Sequence, residues 1–531
     1  MRLGFVCLAA AAAVIASVWA WLGAGVPMPP APVGAGEKLY CLSYAPFRGS
    51  QTPLDLSTHI SAAQIEDDLS RLAKLTDCVR TYSVDVGLDQ VAGIAARHGL
   101  KVLLGLWLSS HADRNQYQIE TAVALANRYP DTIRAVVVGN EVLLRGEMSA
   151  ADLAATMRAV KARVRVPVTY ADVWEFWLRN PDVGAAADFV TIHILPYWED
   201  FPVRARDAAA HVAAIRRRVV DAFAGKDVII GEVGWPSAGR MREGALPSLA
   251  NQARVIQDVL ALAKREDFRV NVIEAFDQPW KRALEGTVGG HWGLFDDGTR
   301  LPKFAWGEAV SNYPYWQIAA AGGVMFAVLV FGAAFAARHK EVATLQWLAV
   351  TANAIAGGVL VGWAVANVPV ESLGVGGWTR SLAMMAVALA GPLALSAAIM
   401  RGTPMPAFSQ VIGPVSARVR DPLALSIAAV AIAALLLAIQ FALGLVFDPR
   451  YKDFPFAPFT AAVVPLIVHS FVVARPAGAH GIAELTGAAM LAVSILYIVP
   501  NEGMANWQSL WLCAALAALA VSLVRVRGGR G

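Results

Sequence analysis

Val228-Ile229-Ile230-Gly231-Glu232-Val233-Gly234-Trp235-Pro236-Ser237-Ala238-Gly239 is the stretch from which the rest of the chain is read. Its β-branched run predicts a buried strand, and that strand must stop where Gly234 and Trp235-Pro236 cannot extend it. Glu232 is thereby left at a strand tip. A second stretch, Ala135-Val136-Val137-Val138-Gly139-Asn140-Glu141, has the same form: an aliphatic run, a glycine and a glutamate at the exit.

Working outward, strand-like runs alternate eight times with helix-like ones. The expected strands are Leu39–Tyr44, Cys78–Tyr82, Lys101–Trp107, Arg134–Asn140, Pro167–Asp172, Phe189–Leu195, Asp227–Glu232 and Arg269–Phe276. Ser61-Ala62-Ala63-Gln64 and Ser149-Ala150-Ala151-Asp152 open two of the intervening helices with caps. Such a series predicts an α/β fold, a (β/α)8 TIM barrel with its site at the C-terminal strand ends. Glu141 and Glu232 then fall at the ends of strands four and seven. Two carboxylates across one mouth suit glycoside hydrolysis, one protonating the leaving oxygen and the other attacking or activating water.

The other strand ends carry Tyr44, Arg80, Tyr82, Trp107, Asp172 with Trp174, His193 with Tyr197 and Trp198, and Trp235. The last carries Glu274-Ala275-Phe276-Asp277-Gln278-Pro279-Trp280-Lys281. Aromatic faces stack on the C–H faces of sugars while polar groups bond the hydroxyls, so a carbohydrate cleft is expected. Tyr197, Trp198 and Trp280 are the expected sugar platforms. Arg80 is read as a cation that keeps a glutamate ionised. His193 is either a substrate contact or a hydrogen-bonded barrel histidine.

Ile229 to Gly239 resembles the signature of glycoside hydrolase family 17, the β-1,3-glucanases, with Val233 where that family usually has a small polar residue. Val138-Gly139-Asn140-Glu141 is similar to its acid/base strand. Glu274 to Lys281, followed by His291-Trp292-Gly293-Leu294-Phe295, resembles its last strand and closing loop. The resemblance implies Glu232 as the nucleophile of a retaining mechanism, Glu141 as general acid/base and Asn140 as partner of the sugar 2-hydroxyl. Where many members carry an acidic residue before the Trp-Gly pair, this chain has Val288-Gly289-Gly290-His291, so one carboxylate contact is expected to be missing.

Composition divides the 531 residues in two. With 56% hydrophobic residues and a mean hydropathy of +0.49, the chain is too apolar to be wholly soluble, yet its first 310 residues are too charged for a membrane protein. Leu3 to Leu22 predicts a membrane anchor or signal segment (residues 1–24), and its length favours the anchor. A Pro/Gly-rich linker (25–36), the catalytic domain (37–312) and an all-α polytopic membrane domain (313–531) follow. Seven apolar runs lie at about 317–337, 343–366, 380–400, 422–446, 457–474, 481–499 and 507–524. Basic residues follow many of them: Arg338 and Lys340, Arg401, Arg418 and Arg420, Arg475, then Arg525, Arg527 and Arg530. These predict a cytoplasmic C-terminus and an exported, periplasmic barrel. Seven spans in strict alternation are not expected to put every one of those loops inside, so at least one span is expected to be misdrawn or re-entrant, and Arg450 and Lys452 compete with Arg401, Arg418 and Arg420 for the same side. The net charge of +4 is then this inside bias and not a nucleic-acid footprint. Cys41 and Cys78, at the starts of successive strands, are equally compatible with a disulfide and with two buried thiols. No metal or cofactor is expected.

Glu484, His469, Gln440 and Asn353 lie in or near apolar spans, where polar groups mark a path or a helix contact. Trp316, Trp347, Trp378, Trp507 and Trp511 are expected as an interfacial belt. Barrel plus polytopic region resembles membrane proteins of rhizobia and related bacteria that make β-1,3/β-1,6-glucans. It implies a β-glucan transglycosylase in the inner membrane, with membrane lipid and a glucan synthase as further partners. A membrane-anchored hydrolase and a non-catalytic glucan-binding transporter are the alternatives.

Overall fold

Eight parallel strands close into a barrel in strict chain order, β1 pairing with both β2 and β8. They are β1 (Cys41–Ser43), β2 (Cys78–Arg80), β3 (Lys101–Leu106), β4 (Ile133–Asn140), β5 (Val168–Val173), β6 (Val190–His193), β7 (Val228–Val233) and β8 (Val270–Val272). The computed structural model describes residues 2–34, 36–339, 341–413, 419–474 and 481–525. The chain forms two units: the barrel unit, Val26–Gly239 with Gly244–Val310, and a helical unit, Met1–Gly25 with Arg240–Glu243 and Ser311–Gly531.

Two-residue alternation along each strand separates two layers. Leu42, Val79, Val102, Leu104, Val136, Val138, Val190, Ile192, Val228 and Ile230 join one large buried cluster with the surrounding helices. A separate cluster holds Cys41, Cys78, Leu103, Ala135, Val137, Ala171 and Ile229. The same strands also bring polar residues together: Ser43 bonds Asn271, and Thr169 bonds Thr191. Ser61 and Ser149 cap their helices by accepting from the backbone N–H groups of Gln64 and Asp152. Cys41 and Cys78 form a disulfide. The expected linker is tied to the barrel in part, since Val26 and Val310 exchange backbone hydrogen bonds of 2.9 and 3.0 Å.

The helical unit comprises α1 (Arg2–Leu22), α2 (Trp316–Ala337), α3 (Thr344–Glu371), α4 (Gly374–Arg401), α5 (Pro422–Phe447), α6 (Phe456–Val472), α7 (Ile482–Glu502) and α8 (Trp507–Val524). Seven of these are long and apolar enough to cross a membrane; α6, at 17 residues, is shorter. Contacts at the two ends show that neighbours run antiparallel. Gln346 at the start of α3 bonds the Ile399 carbonyl near the end of α4, and Trp363 toward the end of α3 meets Phe456 and Trp507 at the starts of α6 and α8.

Of the seven expected runs, 457–474 falls on α6, the one helix of these eight shorter than the candidate spans. The segments after α2, α4, α6 and α8 fall at one end with Arg338, Arg401, Arg420 and Arg525, whereas Arg450 and Lys452 after α5 fall at the other. Lys340, Arg418, Arg475, Arg527 and Arg530 lie outside the described residues. Three of the polar groups expected in or near apolar spans contact neighbouring segments. Asn353 donates to Ser396 (3.0 Å), His469 meets the Thr403 carbonyl (2.9 Å), and Glu484 accepts from the N–H groups of Phe408 and Gly481. Gln440 is exposed. Of the tryptophans expected in a belt, Trp347 is buried and stacked on Phe331, and Trp507 packs on Trp511.

Candidate active site

Glu141 and Glu232 emerge on β4 and β7 through local departures from regular pairing. In β4 the register slips between Val137 and Asn140, Gly139 takes φ +91°, and Glu141 itself takes φ +52°. A Cβ on Gly139 would lie 2.6 Å from Val142 Cγ2, so the glycine is required both for conformation and for space. The turn is pinned from β5. Leu143 N–H donates to the Tyr170 hydroxyl (2.9 Å), Tyr170 donates to Asp172, and Leu144 N–H donates to Asp172 Oδ2 (3.3 Å). Asp172 is fully buried, and that burial pushes its carboxyl up to about 6 against the stabilising Tyr170 bond, with Glu141 adding to the rise.

On β7 the register slips between Ile230 and Val233, and Gly231 sits so close to β6 that a Cβ would lie 2.4 Å from Thr191. The Gly231 carbonyl accepts from Arg80 (2.7 Å) and Asn271 (2.6 Å), which fixes the residue before Glu232. Glu232 Oε1 accepts from Tyr82 OH (2.8 Å) and Arg80 (3.1 Å). Arg80, only 1% exposed, also donates to Asn140 Oδ1 (2.6 Å) and lies 4.7 Å from the Tyr82 ring centroid. One buried guanidinium therefore joins Asn140 to Glu232. Burial, with the neighbouring Glu232 charge, holds Tyr82 well above the ordinary phenol range, so it stays a donor.

His193 completes the link: Nδ1 lies 2.8 Å from Glu141 Oε1, while Nε2 lies 3.2 Å from Arg80 and 3.6 Å from Glu232. One ligand atom each from Glu141, His193 and Glu232 all lie within 4.8 Å of one another. Such a trio could hold a cation, but Arg80 already supplies positive charge to two of its members. Burial raises the proton affinity of Glu141, yet the His193 hydrogen bond, with Arg80 and Arg145, outweighs it and holds the carboxyl below its ordinary value.

The remaining expected contacts divide by exposure. Trp107 is 39% exposed with Arg145 over its ring, and Trp198 and Trp280 are half-buried. Tyr197 and Trp235 are fully buried and offer no face to a sugar; they pack edge to face, and Trp235 donates to the Leu246 carbonyl. His193 is 0% exposed, so the barrel-histidine alternative applies and not the substrate contact. Tyr44 is buried and donates to Asp68. Asp277 is buried on Lys303 and the Gly293 N–H. Glu274, also buried, accepts from half-buried Lys281 (2.9 Å), and its burial pushes it up to about 7 against the opposing Lys281 charge.

Sequence reading missed Tyr170, Arg145 and Glu285. Glu285 follows from a backbone feature that composition hides: Gly286 at φ 71° breaks the helix, and bare Gly289 leaves room for the Glu285 side chain. Burial raises its carboxyl, opposed by Lys281 and reinforced by Glu141 and Glu232, so a third carboxylate shares the field of the pair.

Residues 41–293 match the BtgE/BtgC glycoside hydrolase domain family. A glucan 1,3-beta-glucosidase of Candida albicans is 28% identical over 276 residues, covering 46% of this chain and 87% of that protein. A probable family 17 glucosidase of Saccharomyces cerevisiae is 27% identical over 261 residues, covering 48% and 64%. An active-site mutant of a Rhizomucor miehei beta-1,3-glucanosyltransferase, solved with laminaritriose, is 27% identical, covers 50% of this chain and 95% of that chain, and superposes with a TM-score of 0.45. The chain is an enzyme of the glycoside hydrolase/transglycosylase class, its barrel residues being similar to these β-glucan-active proteins.

Proposed function

We propose that this family 17-type enzyme is a retaining β-glucan transglycosylase, acting on β-1,3/β-1,6-glucan at the outer face of a membrane that its helical unit spans. The observation that carries the reading is the approach of a Glu141 oxygen to within 4.8 Å of a Glu232 oxygen. Retaining enzymes hold their carboxyls roughly 5–5.5 Å apart, whereas inverting ones need about 6.5–9.5 Å to admit water. Glu232, already oriented by Arg80 and Tyr82, attacks the anomeric carbon while Glu141 protonates the departing oxygen. Glu141 then takes a proton from the incoming hydroxyl as that oxygen displaces Glu232 from the sugar. Asn140, held by Arg80, is the partner of the 2-hydroxyl.

Transfer needs an acceptor sugar in place before water. Trp107 and Phe201 are exposed aromatic side chains following β3 and β6, and their rings are candidate faces on which a sugar can rest. The Lys/Arg distribution supports a cytoplasmic C-terminus and an exported barrel. The detergent-purified full chain, incubated with a β-1,3-glucan oligosaccharide, should yield longer or branched products with retained configuration at the new bond. Solely shortened products would establish hydrolysis instead, and an inverted first product would contradict the mechanism.

A further inference from the structure

The donor pattern around His193 has a chemical consequence. Arg80 Nη1 is a donor and lies 3.2 Å from His193 Nε2; two N–H groups do not face each other at that distance, so Nε2 accepts and Nδ1 carries the proton. That proton points at Glu141 Oε1, 2.8 Å away. We propose that His193 is a positioning residue that holds Glu141 in its ionised, proton-accepting form by donating from Nδ1 while Arg80 fixes the tautomer. This rests on the acid/base reading of Glu141 given above.

The two half-reactions place opposite demands on Glu141. To expel the leaving group it must carry a proton; to receive the acceptor it must lack one. During the second step the acceptor oxygen bonds the anomeric carbon, its proton passes to Glu141, and the bond to Glu232 breaks with its electron pair returning to that carboxylate. A permanent donor on Glu141 favours the second half. The other charged groups facing Glu141 are Arg80 on β2, Arg145 after β4, Asp172 on β5, Glu232 on β7 and Glu285 after β8. The Glu232 charge vanishes once it is esterified, which further lowers the proton affinity of Glu141 at the stage where the base is needed. His193, fully buried, supplies its share in both stages.

The test is the pH profile of kcat/KM for the full chain on a β-1,3-glucan oligosaccharide. His193→Phe removes the donor and should move the alkaline limb up by about one pH unit, the size expected for a hydrogen bond to a charged group. His193→Gln, whose amide can donate to Glu141 and accept from Arg80, should restore the limb toward wild type. Should the phenylalanine variant fail to fold, His193→Asn, too short to span both partners, takes its place with the same expected shift. An unmoved limb in the donor-less variant, or an equal shift in the glutamine variant, overturns the proposal. Turnover persisting in Glu141→Gln would instead remove the acid/base reading on which it rests, so the two failures are distinguishable.

Discussion

The barrel and the helical unit both bury polar side chains, but they use them differently. In the barrel, Arg80 alone joins Asn140, His193, Gly231 and Glu232, so that removing one group leaves several others unmatched. Three polar groups of the apolar helices instead pair off one contact at a time: Asn353 with Ser396, His469 with Thr403, Glu484 with two backbone N–H groups. Convergence onto shared partners is the mark of a site; local satisfaction is the mark of helix packing. The difference weighs against a transport path through those three residues.

The largest effect that would sharpen this contrast is chemical. Glu232→Gln and Glu141→Gln should each lower turnover by about a thousandfold or more while leaving the thermal transition of the full chain in place. Near-normal activity in either would break the assignment of the site. Next comes Arg80→Met, which strands buried Glu232 and Asn140. It should cost about 3–5 kcal/mol of stability, read by denaturant unfolding, in addition to turnover.

Asp172 offers a pH test of intermediate size. Its folded value of about 6 lies above its ordinary 3.8, so the protonated form stabilises the fold. That contribution is complete below the ordinary value and is lost as pH rises through about 6, a difference of about 3 kcal/mol from two pH units. Wild type should therefore lose stability between pH 4 and 6 relative to Asp172→Asn, with no further divergence above. Parallel curves would show that the buried carboxyl is ionised throughout. The smallest effect belongs to the helical unit: Asn353→Ala should cost about 0.6 to 2 kcal/mol in detergent and leave turnover unchanged. A large loss of activity would mean that its polar groups are not merely packing.

Eightfold alternation, strand order and the two glutamates at strand exits were legible because they depend on local pattern: a two-residue strand period, glycine at the exit, and proline where a strand must stop. The apolar helices were legible for the same reason, since length and hydropathy are sums over neighbours. Which aromatic faced outward was not. Tyr197 and Trp198 are adjacent in sequence, yet one is buried against Trp235 and Trp292 and the other is half-open, a distinction made by what packs from other strands. His193 likewise read as either a ligand or a core residue until Arg80 and Glu141, on β2 and after β4, were found on its two nitrogens. Sequence alone determined the barrel and the run of apolar helices that follows it. Tertiary structure decided hydrogen-bond ownership, burial and proton affinity, because each depends on distances between residues far apart in the chain.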